Sequence, residues 1–250
     1  MLKKILPVIL ALFLCSGFKL GSLDMDKVLD AGSDAVTAAT LTQAQMAEMG
    51  KQSADQLDKK NKPAPASNAY VQRLNKIMGN LSAVDGLKLN FKVYITKNVN
   101  AFALPDGSIR IYSGLMDLMT DDEIFFVLGH EIGHVKNGDS ADKYRMAYTA
   151  SAARKAASAA GGKAASLSDS ELGNLGEAVL NAQFSQTQES DADLYGLKLL
   201  ERYKRNTRAA VSALRKLADP GNKSGFTERL LSSHPDPNAR ADKIEALIKK

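Results

Sequence analysis

The chain has 250 residues, 44% of them hydrophobic, and a formal charge of +5 at pH 7. That is enough apolar material for one domain, or one domain with a helical extension, and it excludes disorder over the whole length. The charge is too mild to argue for nucleic acid: Lys3 and Lys4 fall in a segment expected to be removed, and the basic stretches Lys59-Lys60 and Arg202 to Arg208 read as solvated helix faces.

The first residues read as a secretory signal over 1–17. Lys3 and Lys4 precede an apolar run from Ile5 to Leu14, and the small residues Ser16 and Gly17 follow. A run of about ten residues is too short to span a bilayer, and no later stretch approaches the roughly 18 apolar residues that would. The expectation is a periplasmic or exported protein, touching a membrane only through an N-terminal lipid anchor if it has one. Cys15 stands where a lipoprotein carries its lipid, although Leu14 is a poor residue to precede it. Ordinary cleavage near Gly17 is the other reading, and under either one no free thiol remains in the mature chain. Disulfides, thiolate-held metals and cysteine nucleophiles are therefore excluded together.

Residues 18–62 read as a helical N-terminal extension, with Val28, Val36, Leu41, Met46, Met49 and Leu57 at roughly helical intervals. Lys62-Pro63-Ala64-Pro65 breaks the pattern, and residues 63–250 are expected to form the main domain. A helix follows from about Asn68 to Leu81. Leu89, Phe91, Val93 and Ile95 then alternate with polar residues as in a half-buried strand. Asn100 to Leu104 and Ser108 to Tyr112 read as two more short strands joined at Pro105-Asp106-Gly107. The expected class is α+β, mainly helical, with a small, mainly antiparallel sheet.

Thr120-Asp121-Asp122-Glu123 signals the start of a helix that ends near Asn137-Gly138. It carries His130-Glu131-Ile132-Gly133-His134, two of the chain's three histidines. Residues four apart share a helix face, so the two imidazoles converge on one point, with Glu131 projecting from the same turn. A buried His pair with a Glu between them is costly unless something satisfies all three, and zinc does so, one ion per chain. The Ala-rich insert at about 140–168 carries Arg154, Lys155 and Lys163, which argue against a membrane hairpin. It reads as a surface excursion, a helix pair or a flap over the site. Helices resume over about 168–182, 186–203, 207–218 and 238–249.

Zinc held by two histidines needs a third protein ligand and one open position. Without a thiol, the choice lies between His234 and a carboxylate. Glu189 and Asp193 share a helix face, so one can bind the metal while the other accepts the second ring N–H of a zinc histidine. His234, in Ser233-His234-Pro235-Asp236-Pro237, could equally be a turn residue, with Arg240 clamping the start of the last helix.

In order along the chain, Asn100-Ala101-Phe102 with Gly114-Leu115, the zinc helix, Glu189 and Asp193, then His234-Pro235 with Arg240, resemble the zinc metallopeptidase family that includes HtpX, the CaaX prenyl-protein endopeptidases, LoiP and BepA. The likeness covers residues 68 to 250 and is nearest the soluble LoiP-like branch. It implies a gluzincin-type domain with the zinc site between two helices, Glu189 as third ligand and Asp193 behind a zinc histidine. It also implies that His234 and Arg240 lie close to the metal. Some relatives carry a further His after the zinc helix, where this chain has Asp139.

The expected function is zinc-dependent cleavage of unfolded or misfolded cell-envelope proteins. Glu131 acts as general base, and His234 either answers the oxyanion or caps the metal at rest. An extended polypeptide substrate is expected to add to an edge strand at Ile109, Arg110, Ile111 and Tyr112. The rival reading is an envelope chaperone or assembly factor with a latent or structural zinc and envelope protein partners. A serine hydrolase lacks its GxSxG elbow here, and a deformylase-type enzyme lacks its Cys ligand.

Overall fold

A computed structural model describes residues 41–79, 81, 83–158, 169–219 and 228–249. The expected signal segment, Cys15, the first part of the N-terminal extension and the tip of the Ala-rich insert lie outside the described residues.

Helix α1 (Gln43–Asn61) begins on a capping box in which Thr42 and Gln45 satisfy each other's backbone N–H groups. Its Leu57 and Ala54 pack with Tyr94, Phe102 and Tyr112. Asp58 ties the helix to the sheet, accepting from Arg110 Nε (2.8 Å) and Nη2 (3.0 Å), Lys92 Nζ (2.7 Å) and the Tyr94 hydroxyl (2.6 Å). Burial pushes its pKa up, but these hydrogen bonds outweigh that and hold the carboxyl below its ordinary value.

After α2 (Ala69–Met78) and a minimal hairpin of β1 (Ala83–Val84) and β2 (Leu87–Lys88) come β3 (Asn90–Tyr94), β4 (Ala101–Ala103) and β5 (Ser108–Tyr112). The sheet order is β3-β5-β4, with β5 parallel to β3 and antiparallel to β4. The sheet is therefore mixed rather than mainly antiparallel. Ile109, Arg110, Ile111 and Tyr112 lie in its central strand, paired on both sides, so the expectation that they form a substrate-binding edge is incorrect. β3 pairs with β5 in parallel on the side away from β4, which leaves no free backbone edge at Arg110. Arg110 is 2% exposed, its charge met by Asp58 from the helix packed on that face, so β5 is covered on both faces.

Helix α3 (Ser113–Leu118) leads into α4 (Asp121–Asn137), which starts on a Thr120/Glu123 capping box and stops at Gly138 with φ 84°. Every residue of α4 from Glu123 to His134 is buried, so this helix is the centre of the molecule. Around it run α5 (Asp139–Ser158), α6 (Asp169–Asn181), α7 (Gln186–Arg202), α8 (Arg208–Ala218), α9 (Glu228–Ser233) and α10 (Pro237–Ile248). The short α9, which delivers His234, has no counterpart among the helices expected from periodicity. Among the described residues, no helix is long and apolar enough to cross a membrane.

The closest approach is between α4 and α7. A Cβ placed on Gly133 would lie 2.9 Å from Ala192 Cα, and one on Gly196 would lie 3.0 Å from the Phe126 carbonyl oxygen. Small residues at this crossing let the two helices that carry the site touch backbone to backbone. Gly133→Val should therefore wedge them apart, costing about 2 kcal/mol, or roughly 4–8 °C in Tm for a chain this long. Melting curves with and without added zinc check this, and the variant should show a smaller rise in Tm on adding zinc than the unmutated chain.

Candidate metal centre

His130 and His134 stand one turn apart on α4, and Glu189 lies in the first turn of α7, where the helix N-terminus favours a negative charge. His234 follows α9, its N–H still donating to Leu230 O (2.9 Å), and Pro235 ends the turn. The loop then enters α10 with Pro237 at its first position, which places Arg240 one turn in. Ligand atoms of His130, His134, Glu189 and His234 all lie within 4.8 Å of one another, and all four residues are buried.

The spacing of these atoms is that of a coordination shell. His130 Nε2 is 3.0 Å from His134 Nε2 and 3.2 Å from His234 Nδ1. Glu189 Oε1 is 2.9 Å from His234 Nδ1 and 3.4 Å from His134 Nε2. A tetrahedral ion with bonds of about 2.0–2.1 Å spaces its donors about 3.3 Å apart.

The tautomers make the same point. His130 Nδ1 faces Asp193 Oδ1 at 2.9 Å and His134 Nδ1 faces Asp139 Oδ2 at 2.9 Å. Each ring N–H is thus directed to a carboxylate, which leaves two Nε2 lone pairs pointed at each other. Facing lone pairs in a buried site repel unless a cation or proton lies between them, so the donor set fits a divalent metal.

Burial drives His130 below its usual pKa and His234 down to about 4, toward the neutral form that binds metal. Burial opposes a proton on His134 too, but Asp139 and Glu189 hold its pKa above the ordinary value. Burial pushes Glu189 up, yet the surrounding histidines outweigh it and keep the carboxyl far below the usual range.

Behind the donors sits Arg240. Its Nε and Nη2 donate to the two oxygens of Asp193 (2.8 and 2.6 Å), and Nη1 rests against Glu189 Oε2 without hydrogen-bond alignment. Burial works against the guanidinium, but the hydrogen bonds and charge of Asp193 raise its pKa. Glu131 is 1% exposed and outside the donor set, with Oε1 3.6 Å from His234 Nε2. A cavity of about 20 Å³ touches Glu131, His130 and His234, space for one water but not for a peptide.

The structure thus brings together His130, Glu131, His134, Glu189, Asp193, His234 and Arg240. The strand Ile109–Tyr112 is not part of the cluster, and Cys15 lies outside the described residues. Three neighbours escaped sequence reasoning. Asp139, marked in the sequence only by its place after the zinc helix, serves as the partner of His134. Phe184, in the loop before α7, stacks flat on the His134 ring (centroids 3.6 Å apart, planes at 4°), and its N–H donates to Ser233 O (3.1 Å). Lys143 Nζ stands 3.4 Å above the Phe184 ring centroid. Asp139 and Lys143 are four apart on the helix after the zinc helix, a spacing that could have pointed to both; Phe184 carries no such signal.

Peptidase family M48 matches residues 65–248. Metalloprotease LoiP of Escherichia coli is 40% identical over 224 residues, covering 89% of this chain and 88% of its own. Metalloprotease YcaL of the same organism is 39% identical over 227 residues, covering 90% and 89%. The beta-barrel assembly-enhancing protease of Escherichia coli is 27% identical over 232 residues, 86% of this chain and 46% of its own. A buried His/Glu metal-binding group on an HExxH helix, in a chain so similar to two metalloproteases over most of its length, leads to one conclusion: the chain belongs to peptidase family M48 and is a metalloendopeptidase.

Proposed function

We propose that this chain is a zinc endopeptidase acting on unfolded or misfolded polypeptides of the cell envelope. The observation that carries the zinc assignment is the set of four convergent donors with Glu131 beside it. The envelope assignment rests on the signal-like N-terminus, and on a relative named for β-barrel assembly.

His130, His134 and Glu189 would hold the ion, which when bound would supply a Lewis acid for the scissile carbonyl and lower the pKa of water. Glu131 takes a proton from the attacking water and returns it to the leaving amine. Asp193 and Asp139 fix the tautomers of His130 and His134, and Arg240 fixes Asp193. His234 would be a fourth donor in a closed, resting form. Withdrawn from it, its ring N–H would face the developing oxyanion.

The sheet edge packed against α4 is β4, and an extended substrate would pair there through backbone groups with little demand on side-chain identity. In the closed form Ala101, Phe102 and Ala103 are all buried, with Tyr144 of α5 and Leu175 and Val179 of α6 in the same cluster as Phe102.

A polypeptide held unfolded should be cleaved at several sites by the zinc-loaded chain, its folded counterpart should resist, and a chelator should stop cleavage. Equal cleavage of both forms would refute the preference for unfolded chains. Suppressed aggregation with no cleavage products would favour a chaperone instead.

A further inference from the structure

Lys143 is a buried cation that the hydrolytic machinery does not use. It is 6% exposed, and among the described residues its ammonium has no hydrogen-bond acceptor; its close contact is the face of Phe184. Phe184 lies flat on His134 with its centroid 5.0 Å from that of His234, so Lys143 is held one aromatic ring away from two of the metal-binding histidines. A cation over a desolvated ring gains less than burying an ammonium costs. Burial lowers its pKa to about 8, with Glu131, Glu189 and Asp139 acting only through longer-range attraction.

Each of those carboxylates is already engaged elsewhere. Asp139 accepts from His134, Glu189 faces His234 and Arg240, and Glu131 lies beside His234. Among the described residues, the ammonium therefore sits beside the reaction centre without a counter-ion of its own. The Phe184 ring lies between it and His134, and it is not one of the metal-binding donors. It is well placed to meet a charge on a residue that flanks the scissile bond.

We propose that Lys143, propped on Phe184, binds a carboxylate of the substrate and so gives this peptidase a preference for negatively charged sequence next to the cleaved bond. The carboxylate is either an Asp or Glu side chain or the free C-terminus of the chain being cut. The proposal rests on peptide binding at the metal centre and deepens that reading by naming the substrate's charge.

Binding, read without turnover, tests it. Zinc-loaded full-length Glu131→Gln protein is titrated with fluorescent peptides, and Kd is measured by anisotropy. One pair exchanges Glu for Gln beside the cleavage site; a second pair exchanges a free C-terminus for an amidated one. The charged member of one pair should bind about tenfold tighter. Adding Lys143→Met should erase the difference while leaving the neutral peptide's Kd within about twofold, and Lys143→Arg should retain it.

The pair that shows the difference identifies the source of the carboxylate. No difference in either pair for the protein that keeps Lys143 overturns the proposal, and that result needs no Lys143 variant to fold. A difference that persists in Lys143→Met assigns the preference to the metal and overturns it too. Equal weakening of both peptides in that variant would mean that Lys143 merely supports Phe184, and would also overturn the proposal. Cleavage of the neutral peptide by the unmutated chain tests the peptidase reading separately.

Discussion

Glu131→Gln should lower peptide hydrolysis by about a thousandfold while leaving metal binding and fold in place, because general base catalysis contributes about 10²–10⁴-fold. Gln fills the same volume in a site where Glu131 is 1% exposed. Its amide can still meet the Nε2 of His234, which lies 3.6 Å from Glu131 Oε1 in the unmutated chain. What the amide cannot do is accept the proton of the attacking water. Glu131 contributes no atom to the four-donor set, so zinc content measured by mass spectrometry should stay at one per chain. The rise in Tm on adding zinc should also match that of the unmutated protein. Initial rates on a quenched peptide supply the other half of the comparison. Retained hydrolysis would mean that another group moves the proton, whereas loss of zinc together with activity would give Glu131 a structural role.

How much of this was legible in the sequence depends on whether a residue's partner lies close along the chain. The two zinc histidines and Glu131 are fixed by helical geometry within five residues, and the α4 boundaries follow from Thr120, Glu123 and Gly138, each acting within a turn of its own position. Glu189 and Asp193 share a face for the same reason. Local spacing could not say which of them faced the metal, because that depends on how α7 crosses α4. The crossing is set by Gly133, Ala192 and Gly196, whose small size carries no direction in sequence.

Arg110 shows the opposite extreme. The partner that allows its charge to be buried, Asp58, lies 52 residues earlier. The parallel pairing of β3 with β5 was hidden likewise, since a parallel neighbour is chosen by what packs on both faces of the strand rather than by a turn. Phe184 came into the site through space alone, by stacking on His134 and pairing its backbone with Ser233.

Arg240→Met should be the most destabilising single change at the site, costing about 3–5 kcal/mol and on the order of 10 °C in Tm. Arg240 is 7% exposed, and its fork is the cation to which both Asp193 oxygens are bonded. Burial pushes the Asp193 pKa up, and the bonds from Arg240 and His130 overcome that to hold it down. Without the guanidinium, Asp193 must keep an uncompensated charge or take up a proton, and a protonated Asp193 no longer accepts well from His130 Nδ1. His130 then loses the contact that fixes its tautomer, so zinc affinity should fall about 10–100-fold even where the protein remains folded. Competition with a chromophoric chelator measures that affinity at a temperature well below the lowered Tm. Arg240→Lys should recover part of the stability but little of the affinity, since a point charge restores the field at Asp193 without the paired bonds that orient it. If Arg240→Met binds zinc as tightly as the unmutated chain, the path from Arg240 through Asp193 to His130 does not tune the metal, and Arg240 serves only to close the start of α10.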